Sequence, residues 1–167
     1  MGRCQIRCPS YLRLYLRLLF ISSIDANITL DSFEDPSNGA PGFAALVKNF
    51  NGSLNLAITL RNNAADSPFQ MQVQNNNAPT SVSLDSYYQG SFSVETKMSR
   101  VIVKDTARDD PAKAKRPRTL VYDQQLSDYA AGWVGWGSRP MAGSHAVQSC
   151  LEIESALSPA TLTFGPG

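Results

Sequence analysis

Histidine is almost absent from this chain: there is 1 in 167 residues, His145. A single imidazole removes most zinc chemistry and most acid–base dyads at once. Cysteine is scarce too. Cys4, Cys8 and Cys150 make an odd count with no CxxC spacing, so they describe neither a disulfide framework nor a zinc site, and nothing specifies a pairing. Charged residues make up 17% of the chain, on the low side for a globular protein, and the formal net charge is only +1. That balance gives no overall pull towards nucleic acid, which is not expected as a partner. Long apolar runs are missing as well. The best candidate, residues 11–21, carries Arg13 and Arg17, and a central Arg costs about 2.5–3.5 kcal/mol on insertion scales. No transmembrane span is expected. The same arginines do not belong in the apolar centre of a signal peptide, although Arg3 and Arg7 supply its basic start. Two readings of residues 1–23 stay open: an alternating strand with Leu12, Leu14, Leu16 and Leu18 inward, or a truncated or mis-started segment.

What is present is period-two patterning. Leu54, Leu56, Ile58 and Leu60 alternate with Ser53, Asn55, Ala57 and Thr59. Phe69, Met71 and Val73 alternate with Gln70, Gln72 and Gln74, and Val82, Leu84, Phe92 and Val94 continue the pattern among serines. Successive strand residues point to opposite faces, so these runs read as half-buried strands with an uncharged polar outer face. Further strands are expected at 27–30, 43–48, 118–122, 132–137, 147–155 and 160–164. Asn51-Gly52 between two such runs reads as a hairpin turn. Phe92, Val94 and Met98 point inward, then Val101 and Val103, so Ser99-Arg100 holds a bulge or a corner. Residues 122–131 are the one plausible short helix. A weak match between the stretches opening at Asn51 and Gly90 supports stacked β-units. The expected architecture is all-β: one domain over 24–165, a twisted β-sandwich or a short irregular β-solenoid of about nine to eleven short strands, behind an atypical leader at 1–23.

Five segments share a strand-and-turn character: Ala78-Pro-Thr-Ser-Val-Ser-Leu84, Tyr88-Gln-Gly-Ser-Phe-Ser-Val-Glu-Thr96, Arg116-Pro-Arg-Thr-Leu-Val121, Gly132-Trp-Val-Gly-Trp-Gly137 and Ser155-Ala-Leu-Ser-Pro-Ala-Thr-Leu162. Over about Asn75 to Phe164 they make the chain resemble an uncharacterised, adhesin-like β-repeat domain family common in basidiomycete fungi. The resemblance implies a fold and no activity, with no catalytic residue or cofactor to carry over. Some members bear disordered or membrane-anchoring N-terminal regions, whereas Met1–Ser23 has no clean anchor.

Candidate chemistry is thin. His145 has no evident nucleophile or orienting acid. No G-x-S-x-G elbow occurs. The carboxylate clusters Asp31/Glu34/Asp35, Asp109/Asp110 and Glu152/Glu154 read as turns and an outer strand face, without calcium-loop spacing. The basic stretch Arg108, Lys113, Lys115, Arg116 and Arg118 is diluted by Asp105, Asp109 and Asp110 and reads as a solvated loop. Trp133 and Trp136, in a Gly-flanked strand, read first as core or sheet-covering residues, the glycines permitting close packing; with Tyr129 nearby they are also the candidate ligand platform, since indoles stack on sugars and proline-rich peptides. Asn27-Ile-Thr29 and Asn51-Gly-Ser53 are N-glycosylation acceptors if the chain is secreted. No metal or cofactor is expected. The leading expectation is a non-catalytic structural or adhesion-type domain touching a glycan or protein surface. The alternatives are a carbohydrate-binding module centred on Trp133 and Trp136 and a divergent β-sandwich hydrolase.

Overall fold

The computed structural model describes residues 23–31, 43–61, 69–141 and 149–165, with backbone alone for 24–31 and 61. The strand reading of 12–18, Cys4, Cys8 and His145 lie outside these residues. Among the described residues there is no helix, and so none long and apolar enough to cross a membrane. The described residues form eleven strands: β1 (Ile24–Asp31), β2 (Phe43–Asn49), β3 (Leu54–Arg61), β4 (Phe69–Asn75), β5 (Thr80–Leu84), β6 (Gly90–Thr96), β7 (Val101–Asp105), β8 (Arg118–Gln125), β9 (Tyr129–Trp136), β10 (Ser149–Ser155) and β11 (Ala160–Phe164). The expected all-β character holds.

The strands form two sheets. Sheet A has the order β1-β3-β5-β11-β7 and is parallel throughout. Sheet B has the order β2-β4-β10-β6-β9-β8, parallel from β2 to β6 and antiparallel at its last two pairs. Parallel neighbours need a crossover, which in most folds is a helix. Here the crossover is a strand of the opposing sheet. Four strand–turn–strand units result: β2–β3, β4–β5, β10–β11 and β6–β7. In space the β10–β11 unit lies between β4–β5 and β6–β7, so the last stretch of chain is inserted into the middle of the stack.

All four units use a four-residue turn, and a polar side chain closes each one. Asn49, Asn75, Thr96 and Ser155 end their sheet-B strands, are buried, and stand in register on neighbouring strands. Each donates to the carbonyl three residues on. Asn49 reaches Gly52 O, Asn75 Nδ2 reaches Ala78 O at 2.9 Å, Thr96 Oγ1 reaches Ser99 O at 2.7 Å and Ser155 Oγ reaches Ser158 O at 2.9 Å. Such side-chain bonds let a turn leave the strand without stranding its carbonyls. The turns also bond to one another: Asn77 N to Phe50 O, Leu157 N to Asn76 O and Lys97 N to Ala156 O.

This arrangement overturns four sequence expectations. Asn51-Gly52 is not a hairpin: β2 pairs with β4 and β3 with β1 and β5. Neither residue has the positive φ that a type I′ turn requires. Asn49 and Asn75 both hold Gly52 O instead, sending the chain across to the other sheet. The expected corner at Ser99-Arg100 is the corresponding turn of the β6–β7 unit. Met98 belongs to that turn and is 77% exposed rather than inward. Residues 122–131 form no helix: they carry a bulge at Tyr122/Gln124 and the tight turn joining β8 to β9. The Asn51 and Gly90 stretches are not equivalent, because one opens a sheet-A strand and the other is a sheet-B strand.

The core lies between the sheets. Of the residues read as inward, Leu54, Leu56, Ile58, Leu60, Phe69, Met71, Val73, Val82, Leu84, Phe92 and Val94 are buried there, and Val101 and Val103 are half-buried against the cluster. Tyr88, which no alternation flagged, is its largest fully buried side chain. It stacks on Phe164, meets Phe69 edge-on and donates to Ser91 O at 2.6 Å. Beyond β6 the antiparallel β8–β9 pair continues sheet B, and Tyr122 packs edge-on against Phe92. Gly132 makes this possible, since a Cβ there would overlap Val121 O on β8.

Candidate functional site

β9 decides where the expected platform residues lie. Ala130, Val134 and Trp136 alternate on its inward side, and Tyr129, Ala131 and Trp133 on its outer side. Trp133 and Trp136 therefore sit on opposite faces, 7% and 4% exposed. They do not form a shared, open stacking surface. Trp133 fills the space that a side chain at Gly135 would need. Trp136 donates from Nε1 to Ser86 O at 2.8 Å and lies under the Arg118 guanidinium, 4.9 Å from the ring centroid. The indoles serve packing, as the glycines beside them permit. Tyr129 is the member of the set that stays half-exposed.

The outer face of sheet B brings together residues far apart in sequence. One in-register file runs Gln72–Glu152–Ser93–Ala131, and the next Gln74–Glu154–Glu95–Tyr129. Gln74 Nε2 donates to Glu154 Oε2 at 2.8 Å. Burial first, then Glu95, Glu152 and Asp123, raise the Tyr129 phenol above its usual value, keeping it neutral and able to donate. The small Ser93 and Ala131 side chains lie between Glu152 and Tyr129 and leave that part of the face low. Carboxylates, amides and one phenol on a rigid sheet can accept from and donate to hydroxyl-rich ligands.

The remaining titratable groups hold the backbone. Asp85 takes the amide of Leu60 on Oδ2 at 2.6 Å and that of Tyr87 on Oδ1 at 3.0 Å. Burial pushes its pKa above the usual carboxylate value, against the pull of those bonds. In the basic stretch, Arg116 makes a forked contact with Asp110 at 3.0 Å, while Arg118 bonds Asp105 at 3.1 Å and Tyr88 O at 3.3 Å. Two of the five cations are thus committed to ion pairs, and Arg108, Lys113 and Lys115 are exposed and have none among the described residues. The Arg116 hydrogen bonds hold the Asp110 carboxyl well below the usual carboxylate range. Asp109 stands exposed beside Asp110, and Glu34 and Asp35 lie outside the described residues. No group of three or more potential metal-ligating side chains is found among the described residues. Cys150 is buried on β10. Asn51 is exposed at its turn and accepts from Asn77 Nδ2 at 2.6 Å, and Asn27 lies in β1.

Sequence reasoning placed Glu152 and Glu154 on an outer face but missed Gln72, Gln74, Glu95 and Ser93 as their neighbours. No signal within β10 says that it lies between β4 and β6. The chain matches no family model, no curated protein and no solved structure.

Proposed function

We propose that this chain is a non-catalytic, adhesion-type β-solenoid whose outer sheet-B face takes a hydroxyl-rich ligand of the glycan class. The solenoid description rests on four units of like construction, stacked in parallel register and closed by the same kind of turn. Membership of the basidiomycete β-repeat family belongs to the same proposal and rests on its strand-and-turn motifs. What carries the binding reading is the pair of polar files ending at Ala131 and Tyr129, preorganised by sheet hydrogen bonding. What favours a scaffold over an enzyme is that the ordered polar side chains of Asn49, Asn75, Asp85, Thr96 and Ser155 bind backbone groups.

A glycan array probed with the full chain tests this. Tyr129→Ala should weaken retention about five- to tenfold, the worth of one aromatic contact, with thermal unfolding unchanged. Glu152→Gln should weaken it less. A chain that retains no glycan, or a Tyr129→Ala chain that binds as the parent does, overturns the reading.

A further inference from the structure

Large apolar side chains are exposed at seven positions among the described residues, and four of them lie on one edge: Phe50, Leu157, Met98 and Leu126. The first three belong to the four-residue turns. Leu157 and Met98 occupy the same turn position in neighbouring units, 51% and 77% exposed. Leu126 opens the turn between β8 and β9, whose Ser127 and Asp128 carbonyls accept from Val101 N and Thr96 N, both at 2.8 Å. That turn therefore packs beside residues 97–100. Leu157, Met98 and Leu126 follow one another across three adjacent turns, flanked by Lys97 and Arg100, which are exposed and, among the described residues, outside any ion pair. Asp128 is the acidic group at the margin.

Ordinary loops resist leaving water because their backbone groups would lose hydrogen bonds. This edge has met part of that demand already. The carbonyls of Phe50, Asn76 and Ala156 accept from the turn beside each, and those of Ser99 and Ser158 from the side chains that close their turns. These bonds lower the cost of burying the apolar tips. Cations beside exposed Leu and Met side chains complement an anionic lipid surface, where their stems reach apolar depth and their charges meet headgroups.

We propose that the turn edge around Leu157, Met98 and Leu126 docks on an anionic lipid bilayer. It is a different surface from the sheet-B face, so either can fail without the other. The test is co-sedimentation of the full chain with phosphatidylcholine vesicles with and without phosphatidylserine. The parent should partition about tenfold or more in favour of the phosphatidylserine vesicles, an advantage that added salt removes. Met98→Glu with Leu157→Glu should lower partitioning about tenfold or more, and Lys97→Glu with Arg100→Glu should bring it to the phosphatidylcholine level. Circular dichroism should show all of them folded. Equal partitioning to both vesicles, none to either, or unchanged adsorption of the Met98/Leu157 variant overturns the proposal, the last by assigning adsorption to another segment. A lipid-free dimer in sedimentation equilibrium that Met98→Glu dissolves would overturn it in favour of a second copy of this chain.

Discussion

The stacked units and the β8–β9 end cover the same core by opposite means. In the units the solution is repetition: four turns of one length and four buried polar side chains performing one task in register. At the β8–β9 end every contact occurs once. Arg118 alone ties Asp105 of β7, Tyr88 O and the Trp136 ring together, and Gly132 alone lets β8 approach. Repeated contacts share out the damage of a substitution, whereas single ones concentrate it. Terminal elements of repeat folds generally depart from the repeat because they must end the sheet rather than extend it.

Loss of Arg118 should do the most damage. Its side chain is 10% exposed and that of Asp105 14%. Arg118→Ala leaves a half-buried carboxylate with only the Ala107 amide and should cost about 3 kcal/mol, the lower end of the range for a broken buried pair, read as a fall in the urea midpoint. Hydrogen exchange should accelerate first in β8 and β9, since the keystone is theirs. A cost no larger than that of an exposed ion pair would mean that the hairpin is held by its backbone ladder alone.

Within the units the expected costs are smaller and unequal. Asn75 Nδ2 serves two turns, donating to Ala78 O and, at 3.2 Å, to Gly52 O. Ser155 serves only its own. Asn75→Ala should cost about 2–3 kcal/mol and Ser155→Ala about 1 kcal/mol, from the penalty of unpaired buried carbonyls. Equal losses in denaturant unfolding would show that the polar ladder works turn by turn and not as a connected column.

Strand positions were legible because the period-two signal is local. Leu54–Leu60, Phe69–Val73 and Ala160–Phe164 each declare their inward face within a few residues. Pairing was not legible, because it depends on where a strand travels after its turn. Asn51-Gly52 carries strong hairpin chemistry, and only Asn49 and Asn75 together reveal that Gly52 O is held for a crossover. The insertion of β10–β11 has no local signature, so the neighbours that make the sheet-B face could not be assembled from the sequence. The indoles are buried, as their Gly-flanked setting suggested, and they share no face. Aromatic content marks Gly132–Gly137 as notable, but the three-residue spacing of Trp133 and Trp136 puts them on opposite faces of any strand. That spacing was the available signal, as was the lost phase between Met98 and Val101 that marks the turn.

Acid acts in opposite senses on one carboxyl group of each region. Asp85, in the loop joining the β4–β5 unit to β6, is raised from its free value of 3.8 chiefly by burial. The native state therefore binds its proton more readily than the unfolded chain does. Its contribution favours folding below the unfolded value and fades as pH rises through the higher folded one. Asp110, in the loop between β7 and β8, is shifted the other way by its Arg116 hydrogen bonds. Its contribution is present above 3.8 and is lost only as pH falls through the much lower folded value. Denaturant unfolding from neutral pH down to about pH 4, run on the parent and on Asp85→Asn, separates the two. The parent should gain stability relative to Asp85→Asn on acidification, while Asp110→Asn should hold a constant offset from the parent until below that range. Parallel profiles for the parent and Asp85→Asn would mean that burial of the Asp85 carboxylate is already offset by its amide donors, and that both regions meet acid alike.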